Sequence, residues 1–233
     1  MSYGVSDLQP EFLRTLRGDE GPLPPGPQAR PREEVGEVHR RRLIAGMAEA
    51  TAKRGIGATT IADVVRCAQV SRRTFYEHFP DKQACLLATY DASSEVVMNG
   101  VEAAFAQRVG QTWDERLVSG VRAYLGMLAA IPDLTRVFIL DMPSAGPEAL
   151  LRMRASHERF ATLILKIVDE HRDDFPPAVG MEPIMATAVV GGINEMLLQA
   201  LSADEPIDGP ALELAAVKLL LGAMWPVEDL PYG

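Results

Sequence analysis

One stretch carries the densest chemistry in the chain: Ser71-Arg72-Arg73-Thr74-Phe75-Tyr76-Glu77-His78-Phe79. Phe75 and Phe79 are four residues apart and share a helix face, which suits an anchor in a small core. Arg72, Arg73 and Thr74 then fall on the other surfaces. An exposed arginine pair at a helix start fits the major groove, where guanidinium forks onto guanine O6 and N7. The positive end of the helix favours phosphate as well. Tyr76, His78 and Lys82 offer hydroxyl, imidazole and ammonium donors to backbone oxygens. This is the chemistry of holding and reading DNA.

Such a helix needs a partner to aim it. Thr60-Ile61-Ala62-Asp63 has a Thr cap with an acid three residues on, so a helix starts there, with Ile61, Val64, Val65 and Ala68 apolar. Ser71 is a second N-cap. Two short helices separated by Ala68-Gln69-Val70 form a helix-turn-helix. Upstream, Val38, Leu43, Ile44, Met47, Ala48 and Ala52 form a helical stripe over 37–54, ended by Gly55 and Gly57. Downstream, Pro80-Asp81-Lys82 caps a fourth helix with Ala84, Leu86, Leu87 and Tyr90 apolar.

The stretch from about Leu43 to Leu87 resembles the TetR family of bacterial regulators, most specifically from Val70 to Lys82. The resemblance implies a homodimer on a roughly palindromic double-stranded operator. It implies an N-terminal three-helix DNA-binding domain and a C-terminal helical bundle for ligand binding and dimerisation. It places Arg72, Arg73 and Thr74 on bases. Thr60, Tyr76, His78 and Lys82 then fall on phosphates, and Ser71 at the helix start joins them. Three positions depart from the family pattern. Gln69 stands at the usual turn glycine, Val65 where a small residue is common, and Arg73 where glycine is frequent. A left-handed non-glycine residue costs about 1–2 kcal/mol.

The charge pattern agrees. The whole chain carries −9, yet residues 37–90 hold nine Lys/Arg against five acids, or +4. Residues 1–36 hold four against six (−2), and residues 91–233 hold ten against twenty-one (−11). A basic head on an acidic body localises DNA contact to the head. Arg40, Arg41 and Arg42 lie near a helix start, either solvated or against DNA. Arg30 and Arg32 lie in the Pro/Gly-rich segment 18–32. That composition predicts a flexible arm over 1–36, a DNA-binding domain over 37–82, and a ligand-binding and dimerisation domain over 83–233.

Beyond Thr112 the pattern is helical throughout and no alternating strand appears, so the fold class is all-α. Helices are predicted from Thr112 to about Ala130, from Pro132 to about Met142, and from Gly146 to about Arg172. Two more run over 182–203 and 208–224. Met127, Phe138, Met142, Met153, His157 and Phe160 come from the helices that the family resemblance places around a ligand cavity. The last two helices are apolar around most of their circumference. Burial against a second copy is the natural solution, with Val190, Ile193, Leu197, Leu214, Val217 and Leu221 as candidates.

Other classes fit less well. Cys67 and Cys85 have no metal-like or disulfide spacing, so a reducing, cytoplasmic setting is expected, with no cofactor or metal. No targeting segment is apparent, and no uninterrupted apolar run reaches the roughly 18 residues of a membrane span. His157 and His171 lack a positioned nucleophile, which argues against an enzyme. A regulator without a ligand, or an activator, would share the same N-terminal half.

Overall fold

The structure is a computed structural model that describes residues 8–18, 32–106, 112–174 and 180–224. The described residues are helical with no strand, as the patterning predicts. Ten α-helices follow in order: α1 (Leu8–Arg17), α2 (Arg32–Ala58), α3 (Ile61–Ala68), α4 (Arg72–His78), α5 (Lys82–Ala106), α6 (Trp113–Ala129), α7 (Pro132–Arg136), α8 (Pro147–Glu170), α9 (Pro183–Ser202) and α10 (Pro210–Met224). The chain divides into two compact units. One holds residues 1–96 and 130–152, the other 97–129 and 153–233.

The first unit is built on α2. Leu43, Ile44, Met47 and Ala48 of α2 are buried, as are Val64 and Ala68 of α3, Phe75 of α4 and Leu86 of α5. Gly46 is where α2 and α3 meet backbone to backbone. A Cβ there would lie 2.7 Å from the Ala68 nitrogen and 2.8 Å from the Val64 oxygen. The helical backbone breaks at Gly55 (φ 73°), where the sequence ends the helix.

Two features of this unit differ from expectation. Residues 8–17 form a helix that packs on α2 and buries Phe12 and Leu16, where an arm was expected. The segment 18–32 lies mostly outside the described residues, including Arg30. Second, residues 130–152 pack with the DNA-binding unit and not with the bundle. After α7 the chain takes a π-helical turn (Val137–Asp141) and a short 3-10 turn (Met142–Ala145). Phe138 meets Tyr90 edge to face, with ring centroids 5.2 Å apart. The Arg152 guanidinium donates to Asp91 at 2.7 Å.

The second unit is a helical bundle of the end of α5, α6, most of α8, α9 and α10. Leu125, Val189, Leu197, Ala216 and Met224 are its most buried side chains. Gly192 lets Leu219 of α10 approach α9 closely. Arg122 grips Glu213 with two hydrogen bonds, Nε at 3.0 Å and Nη2 at 2.6 Å. By length and composition, α9 is long and apolar enough to cross a membrane, with a mean hydropathy of 1.4. The sequence-based expectation of no such span therefore fails for this helix.

Candidate nucleic-acid interface and ligand cavity

Local caps aim α4. Thr60 and Asp63 close a capping box at the start of α3: the Thr60 hydroxyl donates to Asp63 Oδ2 at 2.7 Å, and the Asp63 amide donates back at 3.2 Å. These hydrogen bonds from Thr60, with help from Arg54 and Arg66, hold the Asp63 carboxyl below its usual pKa. At the other end, the Gln69 amide donates to the Arg66 oxygen and the Val70 amide to the Val65 oxygen, which is a Schellman motif. Gln69 adopts the left-handed conformation (φ 55°, ψ 43°) normally filled by glycine. The departure at Gln69 thus leaves the turn geometry in place. Ser71 then caps α4 by accepting from the Thr74 amide at 3.0 Å.

Phe75 is fully buried and fixes which way α4 faces. Arg72 and Arg73 are left exposed, with Thr74 half-buried beside them. The Arg72 guanidinium lies 5.9 Å over the Tyr76 ring. Arg73 is 89% exposed and forms an ion pair with Glu77 at 3.0 Å. Tyr76 is half exposed, and Ser71 shares a hydrogen bond with the Thr74 hydroxyl. The structure therefore brings Ser71 to His78 onto one surface. The His78 ring stands 6.3 Å from His39 of α2, a neighbour the sequence did not single out. Burial, and then the nearby His78 and Arg42, lower the His39 pKa.

Lys82 and Thr60 are engaged internally. The Lys82 ammonium donates to the carbonyl oxygens of Ile56 and Thr59, both at 2.9 Å. The Thr60 hydroxyl is held by Asp63. Loose-ended carbonyls after the Gly55 break need a donor, and Lys82 supplies it.

The second unit encloses a narrow cavity of about 100 Å³. It is lined by Phe105 of α5, Leu117, Gly120 and Tyr124 of α6, Phe160 to Val168 of α8, Val189 to Ile193 of α9 and Leu220 of α10. Among the six sequence candidates, Phe160 lines it. Phe138 and Met142 are buried in the first unit, because residues 130–152 pack on α2. Met127 packs over Gly100. Met153 is half-buried near the start of the unit. His157 is hydrogen-bonded to Asn194, and burial lowers its pKa. The aliphatic liners were missed because they look like ordinary core in sequence.

The dimer candidates also separate. Val190 and Ile193 line the cavity, and Leu197 and Val217 are buried in the same unit. Leu221 is half-buried, and Leu214 is 54% exposed. The exposed row runs instead through Ile184, Ala188, Gly191 and Glu195 of α9, and through Ala211, Leu214 and Lys218 of α10. Near-uniform apolarity tells which helices are covered, but not which face turns inward.

An exposed arginine-bearing helix, set by a capped helix-turn-helix on a buried phenylalanine, defines a DNA-binding domain. Residues 43–89 match the family of bacterial regulatory proteins of the tetR type. The chain carries the DNA-binding domain of that family, as the Leu43–Leu87 resemblance implied. No curated protein sequence matches. Among solved structures, the chain is similar to the fatty acid degradation regulator FadR from Bacillus halodurans, with a TM-score of 0.64 at 17% identity, covering 79% of this chain and 95% of that one. It is similar to FadR from Bacillus subtilis in complex with stearoyl-CoA, with a TM-score of 0.63 at 17% identity, covering 78% and 98%. A TetR-family regulator from Pectobacterium atrosepticum reaches 0.62 at 22% identity, covering 84% and 98%. These likenesses show the fold: an N-terminal helix-turn-helix unit with a helical C-terminal domain.

Proposed function

We propose that the chain is a cytoplasmic transcriptional repressor that binds a palindromic operator as a homodimer and lets go when a small molecule fills the second unit. The observation that carries this is α4. Its buried Phe75 leaves Arg72 and Arg73 projecting, as direct readout requires. Arg72, Arg73 and Thr74 read bases. Ser71, Tyr76 and His78 hold phosphates, while Lys82 and Thr60 keep the preceding loop and helix in shape. A two-fold dimer through the exposed row of α9 and α10 supplies the second recognition helix. No catalytic step is assigned to any residue.

The cavity supports the ligand. Its α6 and α8 walls flank residues 130–152 in the chain, and that segment packs on α2. A ligand that spreads α6 and α8 therefore strains a segment seated on the DNA-binding core. Coupling of this kind is reciprocal, so DNA weakens the ligand by the same factor. The FadR structures are of regulators, one of them holding stearoyl-CoA, which favours a sensor of hydrocarbon metabolites.

The test is fluorescence anisotropy on the DNA upstream of the protein's own gene, titrated across salt. Selective binding to a palindrome, two chains per site, with a steep negative salt slope is expected. Binding no better than to scrambled DNA, there and in a genome-wide pull-down, would overturn the proposal.

A further inference from the structure

The cavity of the second unit has a shape and polarity that specify more than the presence of a ligand. Every lining residue is aliphatic, aromatic or glycine, and Tyr124 brings the one hydroxyl. No charged side chain lines it. A charged ligand body would lose its hydration there without a partner. The α8 liners run from Phe160 to Val168, about 12 Å of helix at 1.5 Å per residue. About 100 Å³ drawn out over that length is a slot, too thin for a fused-ring system.

The two ends of the slot differ. At one end Phe105 is buried, with the Arg116 guanidinium 4.5 Å over its ring and His171 edge-on at 4.9 Å. That end is closed. At the other, Tyr124 meets Phe160 edge to face at 5.7 Å. One helical turn beyond, His157 continues the Phe160–Ile164 row, and Asn194 continues the Val190 row. His157 and Asn194 are hydrogen-bonded to each other and half-buried.

We infer that the ligand is a single unbranched aliphatic chain with a carbonyl head, its tail against Phe105 and Gly120 and its head at the His157–Asn194 pair. This deepens the proposed ligand-released regulator and rests on it. Burial holds the His157 imidazole in its neutral form near neutral pH. A neutral imidazole and a carboxamide are donors for a carbonyl oxygen, not counter-ions for a formal charge. Gly120 then sets how long a tail fits. A Cβ at Gly120 would find its nearest atom, Phe105 Cδ2, at 3.9 Å, so added carbon there occupies the slot without a clash.

Isothermal titration of the full chain with alkanoic acids from hexanoic to hexadecanoic, and with their CoA thioesters, tests this. Cholate and a cationic rhodamine serve as fused-ring and charged controls. Affinity rises roughly fourfold per methylene to an optimum, then falls. Whichever head series binds tighter identifies the source of the carbonyl, free acid or thioester. Gly120→Leu moves the optimum to a shorter chain, and Gly120→Ala moves it less. His157→Phe lowers affinity about tenfold at every length and leaves the optimum in place. Tighter binding of cholate or rhodamine, no saturable binding by any chain, or a Gly120→Leu effect equal at all lengths would overturn it. Operator binding is read separately, so its presence without chain binding sinks only this inference.

Discussion

The Lys82 ammonium lies 2.9 Å from the carbonyl oxygen of Thr59, the residue just before the Thr60 cap of α3. It donates at the same distance to the Ile56 carbonyl. The first residue of α5 thereby ties down the loop that launches the helix-turn-helix. In Lys82→Met both carbonyls lose a charged donor. A loss of about 1.5–3 kcal/mol in stability is expected, read by urea unfolding. The log–log salt slope of operator binding should stay nearly unchanged. A fall of about 0.9 in that slope would instead put Lys82 on a phosphate.

The Asp63 carboxyl is held below its usual pKa first by the Thr60 hydroxyl and amide. A carboxyl depressed in the folded state adds stability above its unfolded value, about 3.9. That stability is lost as pH falls through the folded value. Unfolding midpoints measured from neutral pH down to about pH 3 should therefore drop faster for the native chain than for Asp63→Asn. Parallel curves would remove Asp63 from the acid response.

Gln69 pays for a left-handed backbone that glycine adopts freely. Gln69→Gly should raise stability by about 0.5–1 kcal/mol, the strain relieved less the extra freedom of the unfolded chain. Thermal unfolding checks the sign, and operator selectivity should not change.

Glu77 holds the Arg73 guanidinium at 3.0 Å on an exposed surface. A surface pair of this kind is worth under about 1 kcal/mol. It nonetheless competes with guanine for the same fork and sets a negative charge beside phosphates. Glu77→Ala should tighten DNA by roughly threefold to tenfold. Arg73→Ala should flatten the preference at one base position, by about 1–3 kcal/mol. Anisotropy on single-base operator variants separates the two effects.

What sequence could show depended on range. The capping box at Thr60 and the Ser71 cap are written within three or four residues, so α3 and α4 were legible almost to their ends. The apolar stripe of α2 was legible too, although Arg32 to Gly36 extend it. α1 was hidden by its proline- and glycine-rich neighbourhood, yet Phe12 and Leu16 four apart carried a faint helical signal. The ligand site was the least legible. Phe138 and Met142 had plausible types and sat between the right helices, but packing on α2 claimed them. Gly120 and Ile164 carry no chemical mark, and only the pairing of α6 with α8 gathers them around a space. The dimer face suffered similarly, since Val190 and Leu197 differ from Leu214 only in direction.

The short helix α1 covers part of α2 with Phe12 and Leu16, and Arg17 reaches Glu49 at 3.2 Å. Anyone trimming the protein to a minimal DNA-binding fragment would be tempted to begin at Glu37, after the proline-rich stretch. Such a fragment would keep every residue assigned to DNA and still be prone to stick to itself, because greasy surface on its central helix would be left bare. Affinity tags and fusions face the same concern at this end, so the safer cut lies ahead of Leu8.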